Sequence, residues 1–547
     1  MKHHYSVGLD FGTESVRAIV VDVANGELVG QASCAYSNGV IDTVLPGTDV
    51  RLPPEYALQS PTDWLDGASF ACREAVLGAG VSSQDVIGIG VDFTSCTMLP
   101  ALRDGTPLCC VPGFERIPLA WPKLWKHHAA KAATQRINQV ARERAEAWLA
   151  RYGGIVGLEW LFPKILETLT DAPAVYDATE VWLEAGDWFV WQLTSGPFPA
   201  CRADDLIRST CQAGYKGLWS AEAGYPSREF LSAVDPQLAD VVATKMPGRF
   251  LPPGCLAGVL TRASAERLGL APGTPVSAAI IDAHAGVPGS GATGPDTLVL
   301  VMGTSSCHMI NSVVGHEIPG VAGVVRDGIL PGYFGYETGQ AAVGDAFAWV
   351  ARLTGKSHAE LNSQAALLSP GSGGVLAIDW LNGCRTPLMD GLLTGALFGL
   401  RLGTQPAQIY RAMMEATAFG LRTIVNLLRD GGVPITRFVA SGGLPARSPL
   451  LMQIYADVLN ADIELAGTDQ SVALGAAILG ALASRPTTVQ AEEMQQIIKA
   501  MTRSRDEKSY HPNPHNAVTY QKLYDQYHSL TRAASIACSV PGPTTVD

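Results

Sequence analysis

Short apolar runs separated by small polar residues recur along the chain and predict strands. Val7–Asp10 is followed by the polar turn Gly12–Ser15 and by a second apolar run, Val16–Val21. Asn25-Gly26 is the preferred signal for a two-residue hairpin, and it precedes a third run that begins at Leu28. This order predicts a β-meander at the start of the chain.

The same order of strand, small polar turn and strand returns twice. The run Val86–Val91 leads into the turn Asp92–Cys96, and the run Leu298–Met302 leads into the turn Gly303–Ser306 and a further run, Cys307–Ile310. One such unit near the start of each half suggests two related α/β domains. Coincidence is the alternative, because Gly-Thr and Gly-Ser turns are common.

Two segments between the meanders predict long helices. Pro122–Tyr152 carries charged residues over most of one face and predicts a solvated helix. Thr404–Arg429 has Pro406 in its first turn and a helical spacing of apolar residues, and Gly431-Gly432 should end it. The densest Gly and Pro segment in mid-chain, residues 286–295, is the candidate domain boundary.

Composition then narrows the class of protein. The chain has 547 residues, enough for roughly two to four domains. Apolar residues make up 47%, and charged residues only 16% against about 25% in an average domain, which excludes wholesale disorder. The formal charge is −12 and there is no long basic block, so we expect no nucleic-acid partner and no binding to a membrane surface. The low charge density leaves room for a homodimer interface.

Targeting and redox signals point to a reduced compartment. The N-terminal residues contain no apolar segment typical of a secretory signal, and the longest charge-free apolar stretch, Val472–Ala483, is too short to span a bilayer. The 11 cysteines are scattered and form no CxxC pair. A cytoplasmic enzyme with reduced thiols is therefore expected.

Three familiar motifs fail on their context. Residues 289–294 satisfy G-x-G-x-x-G, but no strand directly precedes them and no helix is predicted after them, as a dinucleotide site requires. Gly355-Lys356-Ser357 resembles the end of a P-loop, but the earlier glycine is replaced by Val350. His127-His128 cannot converge on one ion from a helix, so a solvated helix face is the expected interpretation.

Two turns carry groups suited to a phosphate. Asp10 ends an apolar strand, where its carboxylate could hold a hydrated Mg²⁺. The turn that follows, and the turn in the second half, can offer backbone N–H groups and hydroxyls to phosphate oxygens. The alternative for each is a plain hairpin turn. The candidate phosphate-binding residues are Gly12, Thr13, Ser15, Gly303, Thr304 and Ser305.

A carboxylate and a glycine pair complete the candidate chemistry. Asp282 follows the apolar run Val276–Ile281, where it could accept the proton of a hydroxyl attacking a phosphoryl group. A helix N-cap is an equal alternative for Asp282. Gly442-Gly443 follows a β run and would allow close approach of adenine and ribose, although an ordinary strand-to-helix turn has the same pattern.

Taken in order, these pieces resemble the FGGY carbohydrate kinases. The matching segments are GLDFGTESVRA (8–18), FPKILETL (162–169), IIDAHAGVPGSGA (280–292), VMGTSS (301–306), GALFGLRLGTQPAQIYRAMMEATAFG (395–420), ASGGLPARSPLLMQIYADVLN (440–460) and DQSVALGAAILGA (469–481). The resemblance implies an α/β fold of two actin-like, ribonuclease H-like ATPase domains that flank a deep interdomain cleft. It implies an N-terminal domain at 1–290, a C-terminal domain at 291–536 and a tail at 537–547.

Within the family the chain is most similar to members that phosphorylate the C5 hydroxyl of L-ribulose in L-arabinose catabolism. Further matching segments are GVDFTSCTMLP (90–100), STCQAGYKGLW (209–219) and GYETGQAAVGD (335–345). The resemblance implies ATP and Mg²⁺ as cofactors, Asp282 as the catalytic base and Asp10 as the Mg²⁺-associated aspartate. It also implies that the two turns are phosphate loops, that Gly442 and Gly443 contact adenosine, and that the sugar pocket contains Ser95, Cys96, Lys216 and Glu337.

Other functions stay open at this stage. The acceptor could instead be D-ribulose, ribitol or another pentose derivative, and Lys216 could be a surface lysine. A protein of another class, a non-catalytic sugar sensor or an actin-like nucleotide-binding module, would share most of these motifs. It would have no need of a base at Asp282. A dehydrogenase is disfavoured, because the only dinucleotide pattern has the wrong context.

Overall fold

The structure is a computed structural model that describes residues 3–485, 491–502 and 508–538. In chain order its strands are β1 Tyr5–Phe11, β2 Ser15–Asp22, β3 Leu28–Ala35, β4 Val86–Phe93, β5 Met98–Ala101, β6 Val181–Glu184, β7 Ile207–Ser209, β8 Arg249–Leu251, β9 Leu256–Val259, β10 Pro275–Ser277, β11 Ile280–Ile281, β12 Thr297–Met302, β13 Ser306–Ser312, β14 Gly323–Arg326, β15 Phe334–Gln340, β16 Leu376–Ile378, β17 Ala396–Phe398, β18 Arg437–Ser441, β19 Ile463–Leu465 and β20 Ser509–Tyr510. The α-helices are α1 Pro61–Ala79, α2 Lys131–Glu143, α3 Leu161–Asp171, α4 Pro173–Ala178, α5 Ala185–Ser195, α6 Thr210–Lys216, α7 Arg228–Val234, α8 Val241–Lys245, α9 Arg262–Leu268, α10 Asp282–Gly289, α11 Gly344–Thr354, α12 His358–Ala366, α13 Pro406–Asp430, α14 Gly443–Arg447, α15 Pro449–Leu459, α16 Ser471–Ala483, α17 Ala491–Met501 and α18 Pro514–Cys538.

Contacts divide the chain into two compact units, each assembled from three segments. The first consists of Met1–Gly294, Val324–Gly335 and Gln470–Arg503, and the second of Pro295–Gly323, Tyr336–Asp469 and Ser504–Asp547. Each unit has its own mixed β-sheet with helices packed on it. The predicted α/β class with two related units is confirmed.

The sheet of the first unit has the strand order β3-β2-β1-β4-β10-β9, and β11 also pairs with β4. The predicted meander is present, because β1, β2 and β3 pair antiparallel in sequence. β1 is parallel to β4, and β4 is parallel to β10 and β11. Seven of the eight residues of β4 are buried, as expected for a central parallel strand.

Helix α16 lies directly on this sheet because glycines face it. A Cβ atom on Gly8, Gly88 or Gly90 would come within 2.1 Å of a carbonyl oxygen of α16. Such a distance is far below van der Waals contact, so these strand positions accept only glycine. The close contact fixes the positions of β1 and β4, whose carboxyl ends carry the candidate site.

In the sheet of the second unit, neighbouring strands follow the order β15-β13-β12-β18-β19-β20. β12 pairs antiparallel with β13 and parallel with β18, which repeats the relation of β1 to β2 and β4. The predicted helix is confirmed as α13, with Pro406 in its first turn and Gly431 at its C-cap.

The solvated helix predicted over Pro122–Tyr152 is wrong. Helix α2 begins only at Lys131, Ala147–Tyr152 is a 3-10 helix, and the residues before α2 are irregular. Lys123 and His127 in this irregular segment are completely buried. The charged residues of the segment suggested solvent, but some of them find polar partners inside the unit.

Two further predictions differ from the structure or fall outside it. After the turn Asp92–Cys96, β5 does not continue a meander, since it pairs with β6 in a separate two-stranded sheet. The predicted tail at 537–547 lies outside the described residues from 539 onward, and α18 extends to Cys538. Among the described residues, no helix combines the length and apolar character needed to cross a membrane.

Candidate active site

The turn between β1 and β2 is held by its own backbone and by two side chains. Gly12 N–H donates to the carbonyl of Ser15 at 2.9 Å, so this N–H is used within the turn. The carbonyl of Thr13 accepts a hydrogen bond from Gln59 Nε2 at 2.8 Å, and Thr13 Oγ1 accepts one from Trp125 Nε1 at 3.1 Å. Because its oxygen accepts, the Thr13 hydroxyl keeps its own hydrogen for a ligand.

Three adjacent parallel strands carry aspartates at or just beyond their carboxyl ends. Asp10 on β1 is the register partner of Asp92 on β4. Asp282 directly follows β11, which pairs with β4 at Asp92 and Phe93. The structure therefore brings two predicted site residues, Asp10 and Asp282, to one edge of the first sheet, with Asp92 between their strands.

These aspartates differ in their environment. Asp92 is completely buried, and burial together with the negative charges of Asp10 and Asp282 raises its pKa well above the usual range. Asp10 is partly accessible, and its Oδ2 lies 3.0 Å from Nη1 of Arg17. Burial raises the pKa of Asp10, while the arginine opposes that shift. The neutral form is favoured at Asp92, whereas Arg17 supports the charged form at Asp10.

Asp282 is the first residue of α10, one position inside the helix rather than at its N-cap, which is Ile281. Its Oδ1 accepts a hydrogen bond from the N–H of Ala283 at 2.6 Å. The side chain is only partly buried, although the strand before it and most of the helix after it are buried. A partly accessible carboxylate on a rigid strand-to-helix junction can accept a proton from a bound hydroxyl.

The predicted sugar residues Ser95 and Cys96 lie in the turn between β4 and β5. The turn is closed by a hydrogen bond of 2.7 Å between the hydroxyls of Thr94 and Thr97. Cys96 has a φ of 58°, in the left-handed region, and its thiol is buried. Burial raises the pKa of the thiol to about 12, so Cys96 is a neutral thiol.

Lys216 is buried at the end of α6, so the surface alternative for this residue is excluded. Its ammonium nitrogen lies 5.4 Å from the ring centre of Trp160, and the residue is 4% exposed. The charge of Lys216 also lowers the pKa of the Cys96 thiol, which places both residues in one electrostatic environment. A buried lysine with an aromatic neighbour is a suitable partner for the hydroxyls of a sugar.

Sequence reasoning missed two buried charged residues of the first unit. Glu184 ends β6 and is buried, and burial raises its pKa to about 8. Lys164 on α3 is completely buried, and burial lowers its pKa. A charged residue inside an otherwise apolar run, as in VWLE (181–184) and LFPKIL (161–166), was the available signal.

In the second unit, the turn between β12 and β13 repeats the first turn. Gly303 N–H donates to the carbonyl of Ser305 at 2.9 Å. The carbonyls of the turn accept hydrogen bonds from the N-terminal end of α11: Val343 and Asp345 donate to Thr304, and Gly344 donates to Gly303. The backbone of the predicted phosphate turn is thus fixed by the start of a helix.

Gly442 and Gly443 follow β18, and the structure gives them different reasons to be glycine. Gly442 has a φ of 97°, and a Cβ there would come within 2.5 Å of the carbonyl oxygen of Met302. Close approach to the neighbouring strand therefore explains Gly442. A Cβ on Gly443 would meet only Arg447, at 3.8 Å, so the space beside Gly443 is open.

Glu337 lies on β15 and is 2% exposed. Its carboxylate pairs with the guanidinium of Arg385, which lies in the connection between β16 and β17. A carboxylate that is paired with an arginine can also accept hydrogen bonds from sugar hydroxyls. Glu337 belongs to the second unit, whereas Ser95, Cys96 and Lys216 belong to the first.

The described residues contain no cluster of three or more His, Cys, Asp or Glu side chains arranged to hold a metal ion. Mg²⁺ commonly uses only one or two carboxylates and takes its other ligands from water and substrate phosphates. Asp10 fits that pattern, because it is partly accessible and only its Oδ2 faces Arg17.

The fold and sequence match known sugar kinases. Residues 298–484 match the model of the C-terminal domain of the FGGY family of carbohydrate kinases. A ribulokinase of Geobacillus thermodenitrificans is 44% identical over 543 residues, covering 97% of this chain and 94% of that protein. A ribulokinase of Anoxybacillus flavithermus has the same identity and the same coverage.

Among solved structures, a xylulose kinase from Rhodospirillum rubrum superposes with a TM-score of 0.78 at 23% identity, covering 98% of this chain and all of that one. This likeness supports the actin-like fold of the two units. Near-complete coverage at 44% identity decides the family. The chain belongs to the FGGY family of carbohydrate kinases.

Proposed function

We propose that this carbohydrate kinase transfers the γ-phosphoryl group of ATP to the C5 hydroxyl of L-ribulose, giving L-ribulose 5-phosphate. Relatives that are 44% identical over 97% of the chain and carry the name ribulokinase support the acceptor. The position of Asp282, partly accessible at a strand end beside Asp92 and Asp10, supports the chemistry.

In this proposal Asp282 is the catalytic base. Its carboxylate accepts the proton of the C5 hydroxyl while the hydroxyl oxygen attacks the γ-phosphorus and ADP leaves in line. Phosphoryl transfer leaves little covalent chemistry for the protein, so positioning and charge neutralisation contribute most of the rate. The rigid junction between β11 and α10 serves that positioning.

Asp10 is the residue we propose for Mg²⁺, with the ion neutralising charge on the transferred phosphate. Thr13, Ser15, Thr304 and Ser305 would donate hydrogen bonds to the phosphates, with Gly12 and Gly303 shaping the two turns. The open space beside Gly443 makes it the better candidate than Gly442 for direct contact with adenosine.

We also propose which residues contact the sugar. We assign this role to Ser95, Cys96, Lys216 and Glu337, of which the last three are buried and Ser95 is partly exposed.

We also propose that residues 1–290 supply the base and the first phosphate turn, and residues 291–536 the second turn and the adenosine site. We also propose a cytoplasmic location and a homodimer, and light scattering would test the homodimer.

The test is mass spectrometry of the products after incubation with ATP, Mg²⁺ and a panel of sugars. The panel contains L-ribulose, D-ribulose, L-xylulose, D-xylulose and ribitol. We expect L-ribulose to give the highest kcat/KM, with phosphate on C5. A higher value for ribitol or D-ribulose would reassign the acceptor, and nucleotide binding without any sugar phosphate would contradict the kinase function of this chain.

A further inference from the structure

One buried ammonium group connects several segments of the first unit. Lys164 lies on α3 and is completely buried. Its Nζ donates to the carbonyls of Cys96 at 2.6 Å, of Leu124 at 2.9 Å and of Lys123 at 3.4 Å. An ammonium has three N–H donors, so these three carbonyls use all of them.

The carbonyl of Cys96 belongs to the turn that contains the predicted sugar contacts. Cys96 adopts a left-handed φ of 58°, which is unfavourable for a residue with a Cβ atom. Such a conformation persists only where surrounding structure holds it. The short hydrogen bond from Lys164 supplies that hold at the residue itself.

The other two carbonyls belong to a segment that reaches the phosphate turn. Trp125 directly follows Leu124, and its Nε1 donates to Thr13 Oγ1 at 3.1 Å. Lys123 also exchanges backbone hydrogen bonds with Met98, at 2.8 and 3.1 Å, just after the sugar turn. Lys164 is therefore bonded at once to the sugar turn and to the segment that contacts the phosphate turn.

The buried ammonium group of Lys164 is compensated by the carbonyl oxygens that it contacts. Burial lowers the pKa of Lys164, and these hydrogen bonds replace part of the hydration that the ammonium group loses. A buried ammonium is retained only with such partners, because unpaired burial of a charge is costly.

We propose that Lys164 is a positioning residue, whose ammonium group presets the Ser95-Cys96 turn for binding of sugar by bonding it to the Lys123–Trp125 segment. It contacts neither ligand itself. The inference rests on the proposed function, because only there do Ser95 and Cys96 contact sugar and Thr13 contact phosphate. A purely structural lysine would instead stabilise the fold without a preference for one substrate.

Lys123 offers a matched control. It is also completely buried, and its Nζ donates to Thr168 Oγ1 at 2.9 Å and to the carbonyl of Leu119 at 3.3 Å. The substitution Lys→Met, at position 123 or at position 164, thus removes one buried ammonium group from the contact between α3 and the Lys123–Trp125 segment. Only Lys164→Met removes the hydrogen bond to Cys96.

The experiment measures steady-state kinetics for both variants. Loss of hydrogen bonds from a charged donor predicts that Lys164→Met raises the KM for sugar about tenfold or more. The KM for ATP should change much less, since Gln59 still holds Thr13. Lys123→Met keeps the backbone hydrogen bonds between Lys123 and Met98, so it should raise the sugar KM several-fold less than Lys164→Met does. Equal changes in both KM values for Lys164→Met, or a sugar KM like that of Lys123→Met, would overturn the inference.

Two further measurements keep the test decisive. If Lys164→Met does not fold, Lys164→Arg replaces it. The guanidinium keeps the charge, but its donors lie in one plane on three nitrogens, so it cannot donate to three carbonyls from a single nitrogen. Its sugar KM should rise severalfold, and an unchanged value would overturn the inference. Hydrogen exchange of the peptide around residues 94–98, without substrate, should be faster in the Lys164 variant than in Lys123→Met.

Hydrogen exchange also separates this inference from the proposed function. If the wild-type protein does not phosphorylate L-ribulose but exchange differs between the two variants, the acceptor is wrong and the positioning role stands. If L-ribulose is phosphorylated but exchange and sugar KM are the same in both variants, the acceptor is right and the positioning role is wrong.

Discussion

The two units share a pattern of parallel strands, but different side chains lie near the carboxyl ends of these strands. In the first unit β1 and β4 run parallel, and the register pair at their ends is Asp10 and Asp92. In the second unit β12 and β18 run parallel, and the corresponding pair is Val301 and Ser441. In both units a glycine N–H closes the following turn at 2.9 Å.

The comparison shows how one backbone scaffold supports two kinds of chemistry. The backbone of both turns is fixed in a similar way, so the side chains at the strand ends make the difference. Carboxylates at the first edge can take up a proton and hold a cation, whereas hydroxyls and glycines at the second edge can form hydrogen bonds or allow close contact but offer no base. We therefore expect substitutions of the aspartates at the ends of β1 and β11 to affect catalysis, and substitutions of the glycines after β18 to affect nucleotide binding and stability.

The largest effect is expected from Asp282→Asn in the first unit. The amide cannot accept a proton from the sugar hydroxyl, so kcat should fall about 10²- to 10⁴-fold. Binding of ATP, measured by calorimetry, should stay within a few-fold of the wild-type value. Turnover close to that of the wild type would show that Asp282 is not the catalytic base and that the two units do not differ in this way.

A pair of arginine variants compares the two units directly. Arg385→Met removes the ion-pair partner of Glu337, whose side chain is 3% exposed, and should raise the KM for sugar about tenfold or more. Arg17→Met removes the partner of Asp10 from an arginine that is 43% exposed, and should change kcat/KM by less than about fivefold. Steady-state kinetics checks both. A larger effect at Arg17 would reverse the expected order.

The glycine pair after β18 separates stability from binding. Gly442→Ala places a Cβ 2.5 Å from the carbonyl oxygen of Met302 at a positive φ, and should lower the free energy of unfolding by about 1–3 kcal/mol. Gly443→Ala meets open space, so it should leave thermal stability unchanged and raise the KM for ATP. Differential scanning fluorimetry and ATP kinetics on both variants test this. An unchanged KM for ATP in Gly443→Ala would show that Gly443 does not contact adenosine.

The smallest effect on turnover is expected from Glu184→Gln, which should mainly change how the stability of the protein depends on pH. The folded pKa of Glu184 is raised from 4.5 to about 8, so the unfolded chain loses this proton first as pH rises. The free energy of unfolding should therefore fall between about pH 4.5 and 8, by at most about 1.4 kcal/mol per pH unit. In the second unit Asp379 is buried as well, and burial raises its pKa, although the hydrogen bonds that Gln340 and Tyr527 donate to its two oxygens oppose this rise.

Urea unfolding at several pH values across this window checks that prediction. Glu184→Gln should flatten the pH dependence, because an amide does not titrate. Glu143→Gln, the same change at an exposed site on α2, should leave the pH dependence as in the wild type. The same slope for all three proteins would show that Glu184 is not the source.

The sequence determined the strands and the chemistry at their ends. The hydrophobic period and the turn residues that predict an element lie within a few residues of one another. The sequence alone therefore predicts β1, β2, β4, β12 and α13. Asp10 and Asp282 could be selected because each carboxylate ends such a run. The family also follows from the order of these segments.

Only the tertiary structure decided which polar residues are buried and what they contact. The charges around Lys123 and His127 predicted solvent, but α3 supplies Thr168 and Glu167 as partners for them. Parallel pairing of β1 with β4 places Asp92 beside Asp10, although the two are far apart in sequence. The hydrogen bond of Lys164 to Cys96 joins residues of two separate segments. Local patterns carry no information about such distant partners, and burial of a charged group is tolerated only where the fold supplies them.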